Sequence, residues 1–165
     1  MDGTGSISGR RLFDVEGALV TLVGGRSRST GLLHFPRSPV CPYRGTDDVE
    51  DVPLPRTGSL WAWTTVTTAP PGYHGPVPYG MGVVELDPDP HGQVLRVVGR
   101  LQTDDPDAVG TGDRMEVVLV HLPCGPDDGD ELLDVWAFAP LDSSVDRSDD
   151  GSGRAPDGPA RGADR

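Results

Sequence analysis

Leu60-Trp61-Ala62-Trp63-Thr64-Thr65-Val66 is the stretch on which the fold turns, seven residues dominated by aromatic and β-branched side chains. Such residues suit a pleated, half-buried surface, so the run predicts a strand. Four runs of the same character follow: Met81-Gly82-Val83-Val84-Glu85-Leu86, Val94-Leu95-Arg96-Val97-Val98, Met115-Glu116-Val117-Val118-Leu119-Val120 and Leu132-Leu133-Asp134-Val135-Trp136-Ala137-Phe138. Each is bounded by turn formers. Pro88-Asp89-Pro90-His91-Gly92 makes a tight connection, Pro123 to Asp130 a flexible hairpin loop, and Thr103 to Gly112 a longer excursion between the third and fourth strands.

Working outward, five strands with one long connection after the third give the order of a small Greek-key barrel of the OB type. A five-stranded barrel of SH3-like topology fits the pattern nearly as well. The chain is therefore mainly β, with the barrel assigned to residues 58–140. Residues 1–57 consist of short apolar pieces broken by Gly, Pro and Arg. Within them Arg11-Leu12-Phe13-Asp14-Val15-Glu16-Gly17-Ala18-Leu19 predicts a short N-terminal helix. Residues 141–165 are Asp, Ser, Gly, Arg and Pro with almost no apolar side chain, too little to offset ordering entropy, and are expected to form a disordered tail.

The 165 residues carry a formal charge of −12, unevenly spread. Residues 1–45 sum to +3, residues 46–140 to −13 and residues 141–165 to −2. Between Gly17 and Thr46 there is no acid, while Arg26, Arg28, Arg37 and Arg44 are present. An acidic barrel repels a phosphate backbone, which argues against nucleic acid as a partner. The N-terminus lacks the basic start and apolar run of a signal peptide, and the longest apolar stretch is far short of a membrane span. A cytoplasmic protein with no membrane association is expected. Cys41 and Cys124 are too few for a disulfide framework and read as reduced thiols.

The segment Gly25-Arg26-Ser27-Arg28-Ser29-Thr30-Gly31-Leu32-Leu33-His34-Phe35-Pro36-Arg37-Ser38-Pro39-Val40-Cys41-Pro42-Tyr43-Arg44-Gly45 resembles a rubredoxin-like zinc ribbon, in which two Cys-x-x-Cys-Gly knuckles flank an aromatic-Pro-Arg segment. In a working ribbon four thiolates would stand at Ser27, Thr30, Cys41 and Arg44, and only Cys41 remains. A structural zinc needs four suitable donors in tetrahedral array. The ribbon is thus degenerate and zinc is not expected. His34 lies between the knuckles and reads as a surface or half-buried histidine.

The residues that follow resemble the DUF35 family, in which a zinc ribbon precedes an OB-fold and the protein accompanies acyl-CoA thiolases, lipid-transfer-protein-like aldolases and related condensing enzymes. Three pieces carry the likeness: Gly58 to Val66 as first barrel strand, Pro70-Pro71-Gly72-Tyr73-His74-Gly75-Pro76-Val77-Pro78-Tyr79 as a Pro-Gly-aromatic loop, and Val109-Gly110-Thr111-Gly112-Asp113-Arg114-Met115-Glu116-Val117 as entry to the fourth strand. Ala137-Phe138-Ala139-Pro140 ends the barrel as the family often does. The resemblance implies a non-catalytic accessory subunit in a hetero-oligomer, stabilising a thiolase-like enzyme and helping form its acyl thioester site. The condensing Cys and His would belong to the partner.

On that expectation Arg26, Arg28, Arg37 and Arg44 meet either acidic partner surface or the phosphates of a CoA thioester lying at the interface, with no cofactor bound tightly by this chain. Phe35, Trp61, Trp63, Tyr73, His74, Pro78 and Tyr79 are the expected partner contacts. Proline stiffens the Pro-Gly-aromatic loop, so its tyrosines can bury ring area at low entropic cost, although the loop could instead simply close the barrel end. Strict alternation puts Trp61 and Trp63 on one face of their strand and Leu60, Ala62, Thr64 and Val66 on the other, taken as the interior. The indoles then lie outside, beneath the ribbon-like segment or against a partner. No catalytic constellation is visible: His34, His74, His91 and His121 are scattered, and Gly24-Gly25 is too short for a phosphate loop. The rival readings are a free-standing acyl-CoA or small-ligand module and, against the charge, a nucleic-acid-binding OB domain.

Overall fold

A computed structural model describes residues 3–7, 10–124 and 132–141, with side chains from residue 11 onward. The chain runs β1 (Gly3–Ile7), β2 (Arg10–Glu16), β3 (Leu19–Ser27), β4 (Leu33–His34), β5 (Val49–Pro53), β6 (Thr57–Val66), β7 (Tyr79–Leu86), β8 (Arg96–Leu101), β9 (Arg114–Pro123) and β10 (Leu132–Pro140). Among the described residues no helix is long and apolar enough to cross a membrane. The tail expected after residue 141, and most of the loop between β9 and β10, lie outside the described residues.

β6 to β10 close into a barrel in the order β10-β8-β7-β6-β9. β6, β7 and β8 form an antiparallel meander, β9 returns to pair with β6, and β10 pairs antiparallel with β9 and parallel with β8 at Phe138 and Leu101. Three hairpin-connected strands with a fourth lying beside the first make a Greek key, the arrangement of the OB barrel. The interior is filled by Leu60, Val84, Leu86, Leu101, Met115 and Phe138, each almost fully buried, so the barrel encloses a packed core.

Strict alternation fails on β6, because a β-bulge falls between Leu60 and Ala62. Leu60 faces inward, but past the bulge Ala62 and Thr64 stand opposite Val83 and Met81 on the outer face, where Thr64 is exposed. The expectation that Ala62 and Thr64 line the interior is therefore corrected. A bulge inserts one residue and reverses the parity of everything after it. Both indoles nevertheless reach solvent, Trp61 at 50% and Trp63 at 39% exposure.

The short helix expected over residues 11–19 is a β-hairpin. Glu16 pairs with Leu19 and Val15 with Val20 across the turn at Gly17 and Ala18, where Gly17 has φ +61°. A glycine in the left-handed region suits a tight turn and weakens a helix interior. Pairing also places Phe13 opposite Leu22, and both are buried in one core shared with the barrel. A lone short helix offers its apolar side chains no such partner.

β3 is the spine of the N-terminal sheet, pairing with β2, β4 and β5. The sheet seats on the barrel partly through aromatic packing. Phe35 meets Trp136 edge-on with ring centroids 5.6 Å apart, and Trp136 meets Phe138 in the same way at 5.5 Å. Trp136 lies across Gly99, where an added Cβ would fall 2.4 Å from the indole, so only glycine permits this approach.

Candidate functional site

Two regions hold the residues singled out above: the pair of knuckle turns in the N-terminal sheet, and the outer face of β6, β7 and β8 with the adjoining loop of residues 67–78.

The knuckles share one backbone design. The N–H of Gly31 donates to the carbonyl of Ser27 at 2.7 Å, and that of Gly45 to the carbonyl of Cys41 at 2.8 Å. Ser27 N–H returns to Leu32 O at 3.1 Å and Cys41 N–H to Thr46 O at 2.8 Å. Gly31 and Gly45 have φ +72° and +69°. The side chains at the four knuckle positions are not placed alike. Ser27 and Cys41 are buried, but Thr30 and Arg44 are exposed. Arg44, at one of the four positions where a ribbon's thiolates would stand, thus faces solvent.

The Asp48 carboxylate holds the first knuckle instead. It accepts from the Ser29 N–H at 2.6 Å and from the Ser27 hydroxyl at 3.2 Å, and the nearby Thr46 hydroxyl together with these donors holds it well below the usual carboxylate range. Among the described residues no group of three or more His, Cys, Asp or Glu is placed to hold a metal ion. One thiol with hydroxyls and a single carboxylate does not fit a tetrahedral zinc site. His34 is buried at 4% exposure, deeper than expected, with Nε2 accepting from the Ser38 N–H at 3.3 Å.

The barrel secures the first knuckle from the other side. Arg26, at 13% side-chain exposure, pairs with Asp89, at 3%, in the turn between β7 and β8. The same carboxylate accepts from the N–H groups of His91 at 2.9 Å and Gln93 at 2.7 Å. Burial disfavours its charge, but the hydrogen bonds from Gln93, Arg26 and His91 outweigh burial and lower its pKa. Gln93 donates to Gly31 O at 2.6 Å and accepts from Leu33 N–H at 3.2 Å.

Of the four arginines expected to face phosphate or partner, three are engaged within the chain. Arg26 pairs with Asp89, Arg28 with Glu50 at 3.1 Å and Arg37 with Asp51 at 2.6 Å. Arg44 is exposed and enters no ion pair among the described residues.

The outer face of the barrel was legible only in part. Register aligns Ala62, Val83 and Val98 in one row across β6, β7 and β8. With Met81 and Trp63 they line a shallow apolar trough of about 240 Å³, and Val98 is 62% exposed. At one end Arg96 lies over Trp61, 4.2 Å from the ring centroid, and bonds Glu85 at 2.8 Å. At the other end Arg100 stacks on Tyr79 at 4.6 Å and donates to the Tyr73 hydroxyl at 2.6 Å. Tyr73 in turn donates to Pro76 O at 3.0 Å, and the two tyrosine rings lie 5.0 Å apart.

Thus the structure gathers Trp61, Trp63, Tyr73 and Tyr79 around one face, with His74 and Pro78 exposed in the loop beside them. Phe35 is spent on Trp136. Val83, Val98 and Arg100 were missed, because alternation marks them as outward on their strands but not as neighbours of the indoles.

Elsewhere, His121 and Asp134 form an exposed cross-strand pair at 2.5 Å. They stand opposite one another in the β9–β10 register.

Residues 51–120 match the family model described as the ChsH2 C-terminal OB-fold domain. A DUF35 domain-containing scaffold protein of Pyrococcus furiosus is 28% identical over 120 residues, covering 73% of this chain and 83% of its own length. The protein of the same name from Methanocaldococcus jannaschii is 27% identical over 123 residues, covering 74% and 83%. Among solved structures, a chain of the Ltp2-ChsH2(DUF35) aldolase superposes with a TM-score of 0.51 at 29% identity, covering 73% of this chain and 84% of that one. The closed Greek-key barrel, the sheet that precedes it and these likenesses agree: residues 51–120 belong to an OB-fold domain of the ChsH2 C-terminal type, in a chain similar to DUF35 scaffold proteins over about three quarters of its length.

Proposed function

We propose that this chain is a non-catalytic accessory subunit of a thiolase-like or lipid-transfer-protein-like enzyme, stabilising that partner and helping to form the site where an acyl thioester lies. The observation that carries the reading is the likeness to a chain of the Ltp2-ChsH2(DUF35) aldolase, which spans most of both chains. Relatives named as scaffold proteins support it. The geometry agrees, since the barrel interior is packed with side chains and the open apolar area lies outside. A protein of this build acts through its surface. Within that role Arg44, exposed and without an ion pair among the described residues, is the guanidinium positioned to meet a CoA phosphate or an acidic partner surface.

The test is reconstitution. The full chain is co-expressed with each thiolase-like or lipid-transfer-protein-like protein of its source organism, and complex formation and acyl-CoA cleavage or condensation are measured. A stable hetero-oligomer is expected, with activity in the complex and none in this chain alone. Turnover of an acyl thioester by the purified single chain would overturn the reading. Saturable CoA binding by the isolated chain in titration calorimetry would favour a free-standing ligand module instead.

A further inference from the structure

Resting on the accessory-subunit reading, we propose that the outer face of β6, β7 and β8 is where the enzyme partner sits, with Val98 as apolar anchor and Arg100 as the cation that receives a partner carboxylate. The partner therefore presents an apolar ridge beside an acidic side chain.

Three observations converge. The row Ala62, Val83 and Val98, widened by Met81, is an apolar strip in the middle of a sheet, half-buried except at the exposed Val98, with Trp63 along its side and Trp61 beneath Arg96 at one end. Its volume, about 240 Å³, is below the roughly 300–1,000 Å³ of pockets that enclose small molecules. It suits a few protruding side chains. Aromatic walls around a small apolar centre are also the composition of an interface core.

Charge names the occupant further. The chain is strongly acidic, yet this face carries Arg96 and Arg100 on either side of Val98, with Glu85 standing opposite Arg96 and Met81 opposite Arg100. Glu85 is taken by Arg96. Arg100 has no carboxylate partner among the described residues, and its Nε is buried without an acceptor. Stacked on Tyr79 and bonded to Tyr73, its guanidinium is held in place before any partner arrives. Such a fork matches a carboxylate in two parallel hydrogen bonds and loses little entropy in making them.

The face is also continuous with the junction between the two sheets. Val98 borders a second groove of about 380 Å³, formed with Leu12, Phe35, Pro36 and Trp136. A partner seated on Val98 thus touches the barrel and the N-terminal sheet together.

The experiment uses the full chain and the partner that forms a complex with it in the reconstitution above. Val98→Glu is expected to weaken the complex about 30-fold or more, as loss of a central contact does. Arg100→Met is expected to weaken it about 10-fold and to flatten its salt dependence. Circular dichroism and the melting temperature should stay unchanged, and should Val98→Glu lower the latter, Ala62→Glu in the same trough replaces it. If the wild-type complex forms and these variants bind within about twofold of it, the proposal fails while the accessory reading stands. If no thiolase-like protein binds the wild-type chain, both fail. If the chain dimerises alone and Val98→Glu makes it monomeric, the occupant is a second copy and the proposal is overturned.

Discussion

Replacing Arg26 by methionine should loosen the N-terminal sheet from the barrel by about 2–3 kcal/mol. Removing one partner of a buried ion pair ordinarily costs about 3–5 kcal/mol, because the other charge is left uncompensated. Here Asp89 is 3% exposed, so the penalty applies, but His91 and Gln93 still donate their N–H groups and relieve part of it. Asp89→Asn keeps an oxygen for those donors and leaves Arg26, at 13% exposure, nearer to water, so about 1–2 kcal/mol is expected. The double variant should cost less than the two singles together, with a coupling of about 1–2 kcal/mol. In urea, with a slope of about 2 kcal/mol per molar, Arg26→Met moves the midpoint down by roughly 1–1.5 M. Trp136 reports the change, because it packs between Phe35 of the N-terminal segment and Phe138 of the barrel. A loss below about 0.5 kcal/mol for Arg26→Met, or strict additivity, would refute the claim that this pair bolts the sheet to the barrel.

Three further outcomes are expected. Arg114 and Thr57 hold the Asp87 carboxylate at about 2, below its ordinary 3.8. A depressed pKa contributes stability that is present above about pH 4 and lost as the pH falls toward 2. With 43% and 37% exposure in the pair, solvent screening limits this to about 1 kcal/mol, and Asp87→Asn should flatten the acid limb of a melting-temperature profile. Gly99→Ala should cost about 1–3 kcal/mol in denaturant unfolding and alter indole emission, since its Cβ would meet Trp136 at 2.4 Å. Asp48→Ala should lower the melting temperature while chelators leave the wild type unchanged, because a carboxylate rather than a metal ties the first knuckle. One zinc per chain in elemental analysis, with a chelator-dependent melting temperature, would refute that.

Sequence alone carried the barrel a long way. Five β-branched and aromatic runs with turn formers between them determine five strands, because each property is local: propensity, period and the dihedral limits of Gly and Pro. Gly17 is equally legible as a turn residue, and its left-handed backbone is what makes Arg11 to Leu19 a hairpin rather than a helix. Strand order was not legible, since OB and SH3-like barrels share the same runs. The β8–β10 pairing that separates them joins Leu101 to Phe138 across the whole barrel. Nor was the bulge beside Trp61, which depends on how β6 meets β7 and decides which side of the barrel Ala62 faces.

The candidate site divides in the same way. Trp61, Trp63, Tyr73 and Tyr79 stood out because large aromatics bounded by polar and turn residues are visible in any chain. Val83, Val98 and Arg100 did not, because their meaning lies in cross-strand register, which brings residues from three separate strands into one row. For the arginines, sequence established a basic segment without acids, and only the folded chain assigned Asp89, Glu50 and Asp51 to three of them. Composition and spacing act over a few residues and determined the elements. Register, burial and charge pairing act across space, and they alone decided which side chains stay open to solvent.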